Sequence, residues 1–250
     1  MANGEIYGRW ASVYEAFEEE ASIDTWRQGI IRELVALAPK TARILDIGAG
    51  TGIGRREILR QLPDATVFCL DRSADMLEIG GAPAELRIVA DMADFTLAGE
   101  DFDFVVCGFD ALNYLHRYDL LRCLECVAAA LRPGGRLIFD YSSRRLLRED
   151  WGFLDVARPR GRATLKSSHR YDPVLDRTTV WLSYWEDGEE TWREVHRHYA
   201  IDPSDLYVLA RHAGLEVLTA RDIDKDTFSP AGATHVWVLE RPAMDRDDDG

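Results

Sequence analysis

The chain has 250 residues, 46% of them hydrophobic, and a formal net charge of −14. This length suits one large domain or one domain with an insertion. The acidic balance argues against nucleic acid and against anionic membranes as partners, because both are bound through clustered lysine and arginine. No apolar run is long enough to cross a bilayer and nothing resembles a signal peptide, so we expect a cytoplasmic location.

Residues 1–40 precede the first predicted strand, and we interpret them as an N-terminal helical lid. Tyr7, Trp10, Tyr14 and Phe17 recur at helical spacing and share one face. Such a face either packs on the body of the protein or closes over a ligand. A second amphipathic helix is predicted from Trp26 to Leu37.

Residues 43–54 combine a short apolar strand with glycines at 48, 50, 52 and 54. A helix is predicted from Arg55 to Leu62, where Pro63 ends it. Strand, glycine turn and helix together bring bare backbone close to a ligand. A dinucleotide site requires glycine at the sixth position of the turn, where this chain has Ile53. The spacing therefore disfavours a nicotinamide oxidoreductase, and Asp46 before the turn favours a cationic ligand.

Two further predicted strands also end in acidic residues. The strand at 66–70 ends at Asp71, which is placed to accept hydrogen bonds from two ribose hydroxyls. The alternative role for Asp71 is to cap the N-terminus of the helix that contains Met76. The strand at 86–89 is followed by Asp91 and Met92. This segment offers a carboxylate acceptor next to a backbone N–H donor.

The fourth predicted strand, 102–107, leads into a segment that contains Phe109, Asp110 and His116. Ligands of open α/β sheets collect beyond the carboxyl ends of the strands, so this segment should line a crevice. A helix over 118–131 and a fifth strand over 136–141 follow, separated by a proline and two glycines.

Residues 142–200 interrupt the alternation of strands and helices. Antiparallel strands are predicted at 152–156, 163–171, 177–186 and 190–200. On the last of them, Trp192, His196 and His198 share one face. The insertion is predicted to be either a cap over the crevice or the interface of a homodimer. Residues 41–141 and 201–241 then form the core, and the acidic residues 242–250 are predicted to be disordered.

The glycine turn behind Asp46, Asp71 after the second strand, and Asp91-Met92 after the third resemble the motifs of the class I S-adenosylmethionine-dependent methyltransferases. The antiparallel insertion is similar to those of bacterial natural-product and amino-sugar enzymes of this family. The resemblance implies an α/β fold with a Rossmann-like, seven-stranded, doubly wound sheet and an antiparallel insertion between strands five and six. It implies S-adenosyl-L-methionine as the cofactor, bound by Tyr14, Asp46, Gly48, Ala49, Gly50, Gly52, Asp71, Arg72, Met76, Asp91, Met92 and Phe109.

The resemblance further implies methyl transfer to an amine or a hydroxyl of a small molecule, such as a secondary metabolite or an amino sugar. The catalytic candidates are His116, Asp110 and Tyr14, and Tyr141, His196 and His198 are further candidates for a base. No set of residues suggests a metal. A binding protein without turnover and a protein methyltransferase are the alternatives.

Overall fold

The computed structural model describes residues 9–97 and 101–243. Tyr7 and most of the predicted disordered tail, residues 244–250, lie outside the described residues. Seven strands form one sheet in the order β10-β11-β5-β4-β1-β2-β3. Their bounds are β1 Arg43–Ile47, β2 Thr66–Asp71, β3 Arg87–Val89, β4 Phe102–Cys107, β5 Leu131–Ser142, β10 Glu216–Asp222 and β11 Thr234–Glu240. β1 pairs in parallel with β2 and β4, whereas β11 is antiparallel to β5 and β10.

Helices cover the sheet. The α-helices are α1 Tyr14–Trp26, α2 Arg32–Leu37, α3 Ile53–Gln61, α4 Ala74–Ile79, α5 Arg117–Ala130 and α6 Pro203–His212. A 3₁₀ turn at Trp10–Val13 leads into α1, and a π-helical segment, Arg27–Ile31, joins α1 to α2. The two N-terminal helices expected from the sequence therefore form one continuous helical segment, residues 10–37, which we call the N-terminal run. Across the described residues, no helix is long and apolar enough to span a membrane.

Both faces of the large sheet are buried. One face packs β1, β4 and β5 against α5 and α6, with Leu45, Val105 and Phe139 fully buried. The other face packs against the N-terminal run and α3, where Ile30, Leu34 and Ile58 are fully buried. This arrangement explains why the strands read as nearly continuous apolar runs. The Rossmann-like fold with a seven-stranded sheet is confirmed.

The insertion folds as a second, four-stranded antiparallel sheet, in the order β6-β7-β8-β9, which we call the cap sheet. Its strands are β6 Asp155–Arg160, β7 Ala163–Asp172, β8 Arg177–Glu186 and β9 Glu189–Tyr199. The first strand begins three residues later than the expected position at Gly152. The reason is local, because a β-carbon at Gly152 would lie 1.9 Å from the carbonyl oxygen of Arg148, in a tight turn after the π-helical segment Leu146–Asp150.

A separate hydrophobic cluster joins the cap sheet to the N-terminal run. Trp10 is 2% exposed and its ring lies 5.9 Å from that of Trp192 on β9. Leu165, Val180 and Met76 belong to the same cluster. Since Met76 belongs to α4 of the core, this cluster packs the N-terminal run between the core and the cap sheet.

Candidate active site

A cavity of about 790 Å³ lies between the carboxyl ends of the core strands and the cap sheet. The glycine turn and the segments after β2, β3 and β4 form its floor. The N-terminal run contributes Trp10, Tyr14 and Trp26, and the cap sheet contributes Val180, Leu182 and three histidines. The lining includes these residues proposed from sequence: Tyr14, Gly48, Ala49, Gly50, Asp71, Arg72, Met76, Asp91, Met92, Phe109 and Asp110.

The glycine turn between β1 and α3 has the geometry that only glycine adopts without strain. Gly48, Gly50 and Gly52 have φ values of 67°, 53° and 69°. A β-carbon at Gly48 would also lie 3.0 Å from the side chain of Ala111. The turn is tied to β2, since the Gly50 N–H donates to Asp71 Oδ2 at 2.8 Å. Backbone is thereby exposed along the cavity floor.

Asp71 is held in place by the backbone on both sides of its carboxylate. Besides the Gly50 N–H at one oxygen, the Ser73 N–H donates to Oδ1 at 2.8 Å. Burial raises the pKa of Asp71, and these two backbone donors oppose that shift. Each carboxylate oxygen keeps a lone pair that can accept a further hydrogen bond. The residue is therefore suited to bind two neighbouring hydroxyls.

Asp91 and Met92 form the wall next to Asp71. Asp91 Oδ1 accepts a hydrogen bond from the Ala93 N–H at 2.9 Å, which orients the exposed carboxylate. The Met92 N–H donates no hydrogen bond within the described residues. This edge of the cavity thus presents one acceptor and one free donor, the pattern that an adenine ring matches.

Asp46 lies beneath the glycine turn and does not line the cavity. It is 0% exposed, and within the described part of the chain neither carboxylate oxygen has a hydrogen-bond partner. Burial, and then the nearby Asp71, raises the pKa of Asp46. An unpaired buried carboxylate is costly unless a cation approaches it. Its role in cofactor binding stays a prediction.

The turn after β4 contains two consecutive non-glycine residues in the left-handed region. Phe109 has φ 56° and Asp110 has φ 50°. Asp140, on β5, stabilises this conformation, because its carboxylate accepts the N–H of Phe109 at 2.8 Å and that of Asp110 at 2.6 Å. Asp140 is fully buried, and burial raises its pKa to about 7. Such strain is typical of functional sites.

The structure does not bring His116 together with the other candidates. His116 precedes α5 as an exposed residue, it is not part of the cavity lining, and its ring contacts those of Tyr118 and Tyr199. Tyr141 is also engaged elsewhere, since its hydroxyl donates to the Tyr199 carbonyl at 2.8 Å. Neither position is suited to accept a proton from a ligand in the cavity.

His169, His196 and His198 of the cap sheet line the cavity instead. His196 and His198 were among the sequence-based candidates, but His169 was missed. Alternation along β7 places His169 on the same face as Leu165, and the sequence alone did not show that this face covers the core. Burial lowers the pKa of His169 to about 4 and also lowers that of His196.

Tyr14 lies at the start of α1, where it lines the cavity below the ring of Trp10, at 5.6 Å. Burial raises its pKa well above the ordinary value. The phenol is therefore neutral at physiological pH and acts as a hydrogen-bonding group rather than as a base.

The residues present fit S-adenosylmethionine. Asp71 can accept two hydroxyl groups, Asp91 and Met92 match an adenine edge, and the glycine turn exposes backbone between them. Below the turn, the unpaired carboxyl group of Asp46 can supply negative charge once a cation approaches it and favours the ionised form. Among the described residues, no group of three or more metal-ligating side chains occurs.

Comparison with known proteins agrees with this geometry. Residues 44–135 match the family model described as a methyltransferase domain. The trans-aconitate 2-methyltransferase of Deinococcus radiodurans is 34% identical over 129 residues, which are 48% of this chain and 49% of that protein. The dTDP-3-amino-3,6-dideoxy-α-D-glucopyranose N,N-dimethyltransferase of Streptomyces fradiae is 34% identical over 142 residues, 53% of each chain. The chain thus spans about half the length of these relatives.

Among solved structures, the amino pentose methyltransferase CalS10 of Micromonospora echinaspora, with S-adenosylmethionine bound, shows the same fold. Its TM-score is 0.66 at 19% identity, over 96% of this chain and 100% of that one. The resemblance to the class I S-adenosylmethionine-dependent methyltransferases that the sequence motifs indicate is confirmed.

Proposed function

We propose that this chain, which carries a methyltransferase domain of the class I S-adenosylmethionine-dependent type, transfers a methyl group to an amine or a hydroxyl of a small molecule. One observation carries the proposal. Asp71, Asp91 and the glycine turn line the same cavity as the polar face of the cap sheet. A cofactor site and an acceptor site are thus continuous within about 790 Å³.

S-adenosylmethionine, when bound, supplies a methyl group on a positively charged sulfur, which makes that carbon open to attack by a nucleophile. Asp71 and Asp91 position the cofactor through acceptors that are already oriented by backbone N–H groups. The cap sheet and the N-terminal run enclose the acceptor and exclude water. Alignment of reacting groups of this kind can supply roughly 7–11 kcal/mol of the barrier reduction.

The acceptor class is the finer part of the proposal. The S. fradiae relative is named for an amino sugar, whereas the D. radiodurans relative is named for a carboxylic acid. The cap sheet presents three histidines to the cavity, which are groups that can remove a proton. This favours an acceptor that must lose a proton, an amine or a hydroxyl, over a carboxylate. A secondary metabolite or an amino sugar fits this chemistry.

The experiment has two parts. Isothermal titration with S-adenosylmethionine should show binding by the wild type, at least about tenfold weaker binding by Asp71→Ala, and wild-type binding by the control Asp64→Ala, an exposed acid after α3. Methyl transfer from radiolabelled cofactor is then measured with dTDP-3-amino-3,6-dideoxyglucose and with trans-aconitate. Failure of the wild type to bind the cofactor would contradict the proposal, and so would binding unaffected by Asp71→Ala.

A further inference from the structure

We propose that His198 and Asp110 form a catalytic dyad in which His198 Nε2 accepts the proton that the methyl acceptor loses. The inference rests on the methyl transfer proposed above. His198 Nδ1 lies 3.2 Å from Asp110 Oδ2, which is an ion-pair distance, although the two atoms are not aligned for a hydrogen bond. The two side chains are 7% and 15% exposed. One residue comes from the core and the other from the cap sheet, so the dyad exists only because the two parts fold together.

Asp140 on the neighbouring strand β5 fixes the backbone of Asp110. The left-handed backbone of Asp110 is held by the buried carboxylate of Asp140, which accepts the N–H groups of both Phe109 and Asp110. That conformation turns the Asp110 side chain towards β9 instead of along the strand direction. The strain in the turn therefore has a function, because it brings a carboxylate to His198.

The imidazole of His198 is fixed by packing. The Tyr114 ring lies 4.5 Å from it, centroid to centroid, and the Trp151 ring lies 5.4 Å away at a near-perpendicular angle. With Nδ1 facing Asp110, the proton of the neutral ring belongs on Nδ1 and the lone pair on Nε2. Within the described residues, Nε2 makes no hydrogen bond, and His198 lines the cavity. This is the arrangement of a base oriented by a carboxylate.

The other two histidines of the cavity are less suited to the role. His196 has Nδ1 3.1 Å from the Tyr114 hydroxyl and Nε2 3.5 Å from Glu194, so both ring nitrogens have partners. His169 has its Nε2 3.1 Å from the Ser167 hydroxyl. The carboxylate that acts on it electrostatically, Asp155, is bound by the exposed Arg170. Neither histidine is paired with a carboxylate on the core side of the cavity.

The proton and electron balance of the step is simple. A lone pair on the acceptor nitrogen or oxygen forms the bond to the methyl carbon, and the carbon–sulfur bond breaks with its electron pair left on sulfur. The acceptor loses one proton to His198 Nε2, and the imidazolium that results is balanced by the Asp110 carboxylate. A carboxylate acceptor, already ionised at neutral pH, has no proton to lose and does not need the dyad.

The test uses His198→Asn and Asp110→Asn, with His212→Asn as the control, because His212 is exposed on α6 and bonds only to its own helix at the Val208 carbonyl. With dTDP-3-amino-3,6-dideoxyglucose, His198→Asn should lower kcat by at least about 100-fold, and added imidazole should restore part of the rate to His198→Ala. With trans-aconitate, His198→Asn should retain the rate of the wild type within about threefold. His212→Asn should behave as the wild type.

The pH profile supplies a second readout. The titratable groups facing His198 are Asp110, Tyr114, His169 and His196. Of these, only Asp110 is removed in Asp110→Asn, so a change in the acidic limb of the amine rate profile between the two proteins reports the loss of that carboxylate. An unshifted profile with wild-type kcat in both variants would overturn the dyad.

Nuclear magnetic resonance of ¹⁵N-histidine in the unliganded chain separates this inference from the proposed function. The His198 ring at pH 7.5 should be the tautomer with its proton on Nδ1, and Asp110→Asn should change that signal. If the wild type turns over neither acceptor but the tautomer is as expected, the proposed acceptors are wrong and the dyad stands. A proton on Nε2 would overturn the dyad whatever the activity.

Discussion

The indole of Trp26 lies directly against the backbone of Gly54 in α3. A β-carbon built at Gly54 would stand 2.3 Å from Cζ2 of Trp26, and one at Gly108, after β4, would stand 2.5 Å from the same ring. Trp26 is 4% exposed. One side chain thus packs the N-terminal run against two of the segments that line the cavity, and it requires glycine on both.

Gly54→Ala and Gly108→Ala should each lower the free energy of unfolding by about 1–3 kcal/mol, because the added methyl group overpacks a buried indole. The loss at Gly54 should occur even though alanine is the better helix former. Gly29→Ala is the matched control, since its β-carbon would meet neighbours at 3.4 Å, an ordinary contact. Urea denaturation of the three variants measures the difference, and equal stabilities would contradict the packing described.

Asp140 should make the stability of the chain depend on pH. Burial raises its pKa to about 7, against about 3.9 in an unfolded chain. The native state therefore holds an extra proton between these values, and the contribution of Asp140 is lost as the pH rises from about 4 to about 7. The free energy of unfolding of the wild type, minus that of Asp140→Asn, should fall across this range by roughly 4 kcal/mol at most.

Urea denaturation of both proteins at pH 4.5, 5.5, 6.5 and 7.5 measures this difference, and comparison with Asp140→Asn cancels the other titrating groups. A difference that rises with pH would show that the two backbone N–H groups outweigh burial and hold the carboxylate ionised. Far-ultraviolet circular dichroism at each pH confirms that the native state persists before urea is added.

Asp91 should set the preference for adenine. Its carboxylate is placed to accept a hydrogen bond from the exocyclic amino group, which hypoxanthine replaces with a carbonyl. The wild type should bind S-adenosylhomocysteine at least about tenfold more tightly than S-inosylhomocysteine, since two facing acceptors repel. Asp91→Asn can turn its amide and should lose most of that discrimination. Isothermal titration with both ligands measures it, and Asp64→Asn, at the exposed acid after α3 and outside the cavity lining, is the control.

The sequence predicts the core strands well and the cap-sheet side of the cavity poorly, for a physical reason. The strand Phe102–Cys107 and the strand Thr234–Glu240 lie where they were expected, because a strand buried on both faces is apolar over most of its length. His116 was selected by its distance along the chain from β4. The left-handed turn at Phe109 and Asp110 changes the direction of the chain before His116. A positive φ at these two residues is not predictable from their residue types.

The cap sheet shows the same limit. Alternation showed that His196 and His198 share a face of β9, but periodicity does not tell which face covers the core. The position of His169 follows from the register of β7 against β8, in which His169 pairs with Val180, and the sequence does not show this register. Asp46 and Asp71 both belong to the sequence motifs, but they differ in exposure. Asp46 is fully buried, whereas Asp71 lines the cavity. Contacts across elements, rather than local patterns, decide these roles.

The three buried cysteines should react slowly in the native state. Cys69, Cys107 and Cys123 are buried and all four thiols are free. Burial raises the pKa of Cys69 to about 12, so little thiolate forms at neutral pH. Titration with a chromogenic disulfide reagent at pH 7.5 should therefore give fast reaction of at most one thiol, Cys126, and reaction of all four in urea. We expect Cys123 and Cys126, three residues apart on α5, to be packing residues, and zinc release on denaturation would contradict this.

The N-terminal run is still expected to be a lid, and its contacts indicate how to test it. Arg158 on β6 pairs with Glu18 and donates to the Phe17 carbonyl at 3.0 Å, while Glu194 on β9 accepts the Trp10 N–H at 3.1 Å. These polar contacts are exposed or half-buried, and such contacts open at low cost. A lid should therefore exchange its amide hydrogens quickly without ligand. S-adenosylhomocysteine should slow exchange in peptides from 10–25 by at least about tenfold, because it adds contacts at Tyr14 and Trp10.

Hydrogen–deuterium exchange with mass spectrometry measures this, with the α6 peptide 204–212 as the internal control that the ligand should leave unchanged. Arg158→Gln should increase exchange in residues 14–18 without ligand, because the Glu18 carboxylate and the Phe17 carbonyl both lose their partner. If peptides from 10–25 are fully protected without ligand and do not respond to it, the run is a fixed wall of the cavity. Ligand would then have to enter elsewhere, for example between the cap sheet and the segment Asp91–Asp94, whose residues also line the cavity.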